Sequence, residues 1–487
     1  MIKRRCFSPS DVQKVIEFRL TPTGLLICGL MLWACGGKES TGLGQQQSPA
    51  QTAASVVVTP STTTLASLGE TVQLTANASD ASGNGIFGKT FTWSSSDQQV
   101  LTVGSTGLAT AVSDGTATVT ATTDGVFGSA SLTVVHTFTL VGHGNLAQTV
   151  TSDVRVHGTV AYTGEFDFWD DGTNPVTNTL RVWDVSDPAT PRLAASVIVD
   201  GAGSVNDVKI RADGAVGVIT HEFSASGITL LDLSDPLSPQ IITRFTSGVL
   251  ADGVHNAWIE GDYVYAAGGA REGGRITIID ISNLVDPQIV ADFYAGSSGA
   301  HDVYVRDGLA FVSHWDAGLV ILDVGNGLVG GSPTNPVEVG RVRPVGGDTH
   351  NAWYWPDAGY VFVGEESSRP GVVHVVDVSD LSNPVEVATF EFSGHTAHNF
   401  SMDEARGILY VTWLGGGLKA IDVSGDLVGR LDTQGREIGY TGQAMGTICP
   451  LANLCRPGTL SWGVQLHDGL VYVSDVNSGL WIFRPEF

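Results

Sequence analysis

The chain has 487 residues, 42% of them hydrophobic, with 61 glycines and a formal charge of -25. That length calls for more than one domain. So large a carboxylate surplus excludes nucleic acid as a partner, because no basic surface can displace counterions from phosphates. It also excludes electrostatic docking on anionic lipid. The charge reads as the solubilising surface of an exported protein. In chain order, the basic stretch "MIKRRCFSPSDVQKVIEFRL" is followed by the short apolar run "GLLICGLMLWAC". This is a signal-peptide layout, and the run is too short for a comfortable membrane span. Residues 36–54 have almost no apolar content and read as a flexible linker.

The run ends in Leu32-Trp33-Ala34-Cys35, which resembles a bacterial lipoprotein box, with Trp33 where a smaller residue is usual. The resemblance implies that residues 1–35 are a lipoprotein signal peptide and that Cys35 is lipidated and becomes the first mature residue. It further implies that the membrane is engaged through the lipid anchor only, and that the protein is extracytoplasmic in the cell envelope, as an outer-membrane or periplasmic lipoprotein. The alternative is an uncleaved anchor, which also leaves the rest of the chain outside the cytoplasm.

Residues 55–135 are short alternating runs cut by Gly, Asn and Asp, the pattern of a small β-sandwich. "VTPSTTTLASLGETVQLTA" and "TFTWSSSDQQVLTVGSTGLATAVSDGTATVTAT" are similar to the bacterial Ig-like group 2 (BIG2) domain. On that resemblance Trp93 fills the core and Gly107 and Gly115 occupy turns. No chemistry is assigned to this domain, and the family implies a spacer or adhesive module.

From residue 136 to 487 a phrase recurs about every fifty residues. Its copies begin at Ser152, Asn206, His255, His301, His350, His398 and Trp462. A copy such as "HDVYVRDGLAFVSHWDAGLVILDV" reads as three short strands, and a fourth follows a Pro-rich turn. Seven four-strand copies predict a seven-bladed β-propeller, so the fold class is all-β, an Ig-like sandwich followed by the propeller. The third strands "LVILDV" and "VVHVVDVSD" resemble the LVIVD repeat, which implies a propeller and no single activity. The last copy has only three strands, so the segment 134–142, "VVHTFTLVG", is expected to close the ring.

Two columns of the repeat carry candidate chemistry. Asp184, Asp232, Asp280, Asp323, Asp377 and Asp422 end the third strands; they read as turn formers rather than as a calcium or catalytic array, because aspartate accepts backbone N–H bonds two residues on. The histidines His255, His301, His350 and His398 open four consecutive copies, at the axial face where propellers usually bind ligands. The ends of the second strands return to that face with Glu165, His221, Gly268, His314, Glu365, Trp413 and Asp475. Imidazole and carboxylate suit a transition metal, with two or three of the opening histidines and one second-column group as ligands. Glu165, His221, His314, Glu365 and Asp475 are the candidate ligand-binding residues. The competing reading has each histidine bonding a carbonyl in the cleft between blades.

Cys449 and Cys455 lie in "GTICPLANLCRPG" and are expected to form a disulfide in an oxidising compartment, with a two-thiolate metal site as the alternative. No GxSxG, phosphate loop or HExxH motif occurs. The sequence therefore points to a binding, scaffold or adhesion-type protein that takes a protein, polysaccharide or small ligand on its propeller face. A metal-dependent hydrolytic or oxidative enzyme is the alternative. Cys35→Ser is expected to move the protein from the membrane to the soluble fraction on cell fractionation; unchanged membrane association would refute lipidation at Cys35.

Overall fold

The computed structural model describes residues 51–487 apart from 66–69, 113–114, 135–137, 146–149, 167–176, 223–226, 269–273, 297–298, 347, 367–370, 393, 435 and 442–458. The signal segment, Cys35, nearly all of the linker, and Cys449 and Cys455 lie outside the described residues. Among the described residues the regular structure is β-strand, with two short 3-10 turns.

The first domain runs from the strand Ser55–Thr59 to the strand Val126–Val134. Its largest sheet orders Thr62–Leu65, Val126–Val134, Gly115–Thr123 and Thr92–Ser95, with two three-stranded sheets beside it. Alternation along Gly115–Thr123 turns Ala117, Val119 and Ala121 inward against Leu65, Leu74, Leu101 and Leu132. Trp93 packs against this core but is only half-buried, at its rim rather than its centre. Gly107 has φ +83°, and a Cβ there would stand 2.6 Å from the Leu74 carbonyl oxygen and 2.8 Å from the Trp93 ring, so only glycine fits that turn.

Seven sheets follow among the described residues, each built on four antiparallel strands; these are consecutive in the chain except that the sixth sheet skips Gly429–Arg430, which adds in parallel to the fifth, and the last takes one strand from before the first. Their innermost strands are Thr151–His157, Ser204–Ile210, Asn256–Glu260, Ala300–Arg306, Thr349–Trp355, Thr396–Asp403 and Ser461–His467. A separate apolar core lies between each sheet and the next, and one joins the seventh back to the first through Val154, Trp183, Leu480 and Ile482. The sheets therefore close into a ring, the arrangement of a β-propeller. Middle strands such as Leu309–His314 and Gly318–Asp323 are buried along their whole length, because both faces are covered by neighbouring sheets. That is why "LVIL" is continuously apolar.

The seventh sheet takes its outer strand from before the first sheet: Phe138–Gly144 pairs antiparallel with Gly479–Pro485. The closing segment thus starts at Phe138, and Val134 belongs to the sandwich. Phe138 is buried, with Phe483, Phe487 and Tyr410 around it.

The aspartates that end the third strands shape turns. Asp184, Asp232, Asp280, Asp323, Asp377 and Asp422 each accept the backbone N–H two residues on, at 2.8–3.0 Å. Asp323 goes furthest and accepts four, from Gly325, Gly327, Val329 and Gly331.

Truncating the closing strand's anchor should loosen the ring. Phe138→Ala is expected to cost about 3–5 kcal/mol, as for other buried phenylalanines. Chemical denaturation would measure it, and a loss under about 1 kcal/mol would show that closure does not depend on this contact.

Candidate functional site

The repeat delivers side chains to the axis through a backbone irregularity. In the first sheet Thr151 faces Glu165 while Val154 faces Thr163, so the inner strand holds one extra residue. The same extra residue occurs at Val205–Val208, Ala300–Asp302, Thr349–Ala352, Ala397–Phe400 and Ser461–Val464. In the third sheet the His255 N–H bonds the Ala267 carbonyl that already faces Asn256. A β-bulge lets two consecutive side chains turn the same way where plain alternation would allow one. Each copy therefore presents its first two residues to the axis at successive depths.

The deeper level is the second residue of each copy: Asp153, Asp207, Asn256, Asp302, Asn351, Asn399 and Gly463. Asp153, Asp302, Asn351 and Asn399 line a cavity of about 60 Å³ together with Arg155, Lys209, Trp258, Tyr304 and Trp353. Lys209 pairs with Asp207 and, at 3.2 Å, with Asp153. Asn399 donates to Asp153 at 3.0 Å, reaching past the seventh sheet. Gly463 leaves it room, since a Cβ there would stand 2.2 Å from the Asp153 carboxylate. Arg155 lies over the Trp258 ring, two sheets away. The channel is thus plugged by two cations among three carboxylates. Burial pushes Asp302 up to about 6 against the pull of Lys209. Burial and the facing Asp153 raise Asp207 against the same lysine, whereas Lys209 holds Asp153 down despite its burial.

The upper level is an arc of aromatic rings. Ring centroids run His255 to His301 at 4.1 Å, His301 to His350 at 4.4 Å, His350 to His398 at 4.3 Å and His398 to Trp462 at 4.5 Å. Phe166 continues it at 5.4 Å from Trp462, and Trp315 stands edge-on to His301. One end of the mouth is therefore apolar, with Val476 beside Phe166 and Trp462. The other end is imidazole and carboxylate: His255 Nδ1 is 3.1 Å from Glu222, and Glu366 stands 3.8 Å from both His301 Nε2 and His350 Nε2.

In His301 and His398 one ring nitrogen works as a clip between sheets. His301 Nδ1 donates to the His350 carbonyl at 3.0 Å, and His398 Nδ1 to the Trp462 carbonyl at 2.9 Å. Asn206 and Ser152 make the equivalent bonds, to the carbonyls of His255 and Val205, with no ring at all. A donor on Nδ1 leaves the lone pair on Nε2. Burial is the largest influence on all four rings. It holds His301 and His350 far below the ordinary imidazole range and His398 down at about 4. His255 is the exception: burial works against its charge, but Glu222 beside it raises it to about 9.

The second-strand residues named from the sequence are engaged within their own sheets and turns, except His314, which reaches the neighbouring sheet. Arg181 donates to Glu165 at 2.6 Å. His221 bonds the Gly203 carbonyl and the Thr229 hydroxyl, and burial lowers it to about 4. His314 bonds the Gly274 carbonyl. Glu365 stands 3.2 Å from His374, whose other nitrogen meets Glu386. Asp475 accepts from Leu460, Asn477 and Ser478 in a turn. The carboxylates that meet the opening histidines are one residue later, Glu222 and Glu366, which the alternation rule alone would have found had the column been read on the other face of the strand.

The ring of sheets thus gathers polar and aromatic side chains at one mouth. Residues 52–134 match the bacterial Ig-like domain (group 2), and residues 175–199, 253–293, 297–343 and 359–391 match the LVIVD repeat. The chain carries a bacterial Ig-like domain followed by LVIVD repeats, a pairing that fits an extracellular binding or adhesion-type module. No curated protein matches the chain. Among the described residues no helix is long and apolar enough to cross a membrane.

The plugged channel makes a pH-dependent prediction. Lys209→Met removes one of the two cations and should cost about 3–5 kcal/mol at pH 8, the usual penalty for orphaning a buried charge. Asp207 is a carboxyl raised on folding, so its favourable contribution is complete below about pH 4 and fades as pH rises. The cost of the substitution should therefore shrink at pH 5, where the carboxylates left behind hold protons. Equal losses in denaturation at both pH values would contradict the charge assignment.

Proposed function

We propose that the protein is an extracytoplasmic lipoprotein of the cell envelope that binds a protein or polysaccharide partner at the mouth of its propeller, the Ig-like domain serving as spacer. The observation that carries this reading is the separation of roles in the repeat. The aspartate column goes to turns and the second-strand column to bonds inside each sheet or, for His314, to the sheet before it. The opening residues and those just after the second strands gather at one end, where aromatic rings sit beside carboxylates. Convergent polar and aromatic groups over a concave mouth are the usual form of a recognition site. The ion-paired plug beneath them makes passage through the ring a poorer reading than capture at its mouth.

The test is retention of the purified full chain on arrays of envelope polysaccharides and peptides. Saturable retention is expected, weakened by Trp315→Ala and by Glu222→Gln. Loss of a central aromatic anchor should cost about 2 kcal/mol or more, roughly thirtyfold in affinity. Retention on neither array, or retention indifferent to both substitutions, would overturn the reading. A metal-dependent enzyme remains the second reading, favoured by His301, His350 and Glu366 facing one another; turnover of an ester, peptide or glycoside lost in Glu366→Gln would establish it.

A further inference from the structure

We propose that His301 Nε2, His350 Nε2 and a Glu366 carboxylate oxygen together hold a divalent transition-metal ion of the zinc class at the propeller mouth. The proposal rests on the mouth being the binding face and adds the ion that face would hold. The three ligand atoms lie within 4.8 Å of one another. The two imidazoles stand 3.8 Å from the Glu366 oxygen, too far for hydrogen bonds. Ligands each about 2.0–2.1 Å from a tetrahedral ion are roughly 3.4 Å apart, so a small inward movement of the carboxylate and of the two rings completes the set.

Three observations separate this from a purely structural role. The clip between sheets needs one donor only, and Ser152 and Asn206 supply it without a ring. Imidazole at His301 therefore brings a second nitrogen that the clip does not use. That nitrogen, and its counterpart on His350, belong to side chains 4% and 1% exposed, and neither Nε2 has a hydrogen bond among the described residues. At His301 the Nε2 lone pair faces the Glu366 oxygen, two acceptors face to face, an arrangement that asks for a cation between them. Finally, the donor chemistry is coherent: two imidazoles and one carboxylate, with a fourth position left open, form a familiar set for zinc and for non-haem iron. His255 falls outside it, because the ligand atoms that lie together are those of His301, His350 and Glu366.

The test uses the full chain expressed into the periplasm, stripped with EDTA and titrated with zinc, then with cobalt(II). One equivalent of each is expected, with cobalt giving a visible absorption band. Glu366→Gln and His350→Ala should each weaken uptake at least about tenfold, and the distant His467→Gln should leave it unchanged. Glu366 is partly exposed and clips no sheet, so Glu366→Gln is expected to melt like the wild type in EDTA, which keeps the result readable if His350→Ala fails to fold. No stoichiometric uptake of zinc or cobalt, or uptake unchanged in Glu366→Gln, overturns the proposal. Array retention that persists in EDTA alongside absent uptake removes the ion and leaves the binding face standing.

Discussion

Closing a ring of sheets forces seven innermost strands around one axis, and the polar groups that meet there have little water to fall back on. An unpaired charge at that depth costs several kcal/mol, so the axis must be neutralised from within. Lys209 and Arg155 do this among Asp153, Asp207 and Asp302, and burial raises Asp207 and Asp302 so that they take up protons more readily than exposed carboxylates. The asymmetry of the repeat begins here. A ring with seven identical second residues would concentrate one sign of charge, whereas this one alternates carboxylates, amides and a glycine.

The bulge at the start of each inner strand follows from the same crowding. It turns a second side chain toward the axis and so builds a level above the plug. At that level one atom must satisfy the neighbouring sheet's carbonyl, which a hydroxyl, an amide or an imidazole can all do. What differs is the remainder of the side chain. Serine ends there and asparagine adds a carbonyl, but histidine carries a second nitrogen some distance further, out of the cleft and into the mouth. The reading of the histidines as clips and the reading as a recognition site are therefore compatible, one for each ring nitrogen.

Much of the architecture was legible because it repeats. The alternation of "HDVYVRD", the continuous apolar run of "LVILDV" and the Asp-x-Ser turns each state a local rule seven or nearly seven times over, and a missing fourth strand at the end pointed to its replacement at the beginning. The site was half legible. The opening histidines stand side by side, but the second-strand column was read at Glu365 and His221, where the pleat turns side chains into the sheet. Side chains on a strand have period two, so an error of one residue moves the whole column to the opposite face. Nothing in the composition marks a bulge, because it is a mismatch between two strands and not a property of either. The partners that alternation leaves to chance, such as Arg181 for Glu165 and His374 for Glu365, were hidden for the same reason.

The geometry also explains why chemistry is confined to one arc of the mouth. Short side chains on neighbouring sheets touch, as the ring spacings of 4.1–4.4 Å between successive histidines show. Side chains two sheets apart meet where one is as long as arginine, as Arg155 does over Trp258, or where a glycine stands between them, as Gly463 does between Asn399 and Asp153. A group that must be held within about 2 Å by several ligands can therefore draw only on adjacent copies. A third donor has to come from another column of the same sheets, and the residue just beyond the second strand is the nearest such place. Glu366 occupies it in the sheet of His350, and Glu222 in the sheet before His255. Four histidines in a row, with Glu222 at one end and Glu366 opposite His301 and His350, put their donors on adjacent copies, where distances allow them to act together.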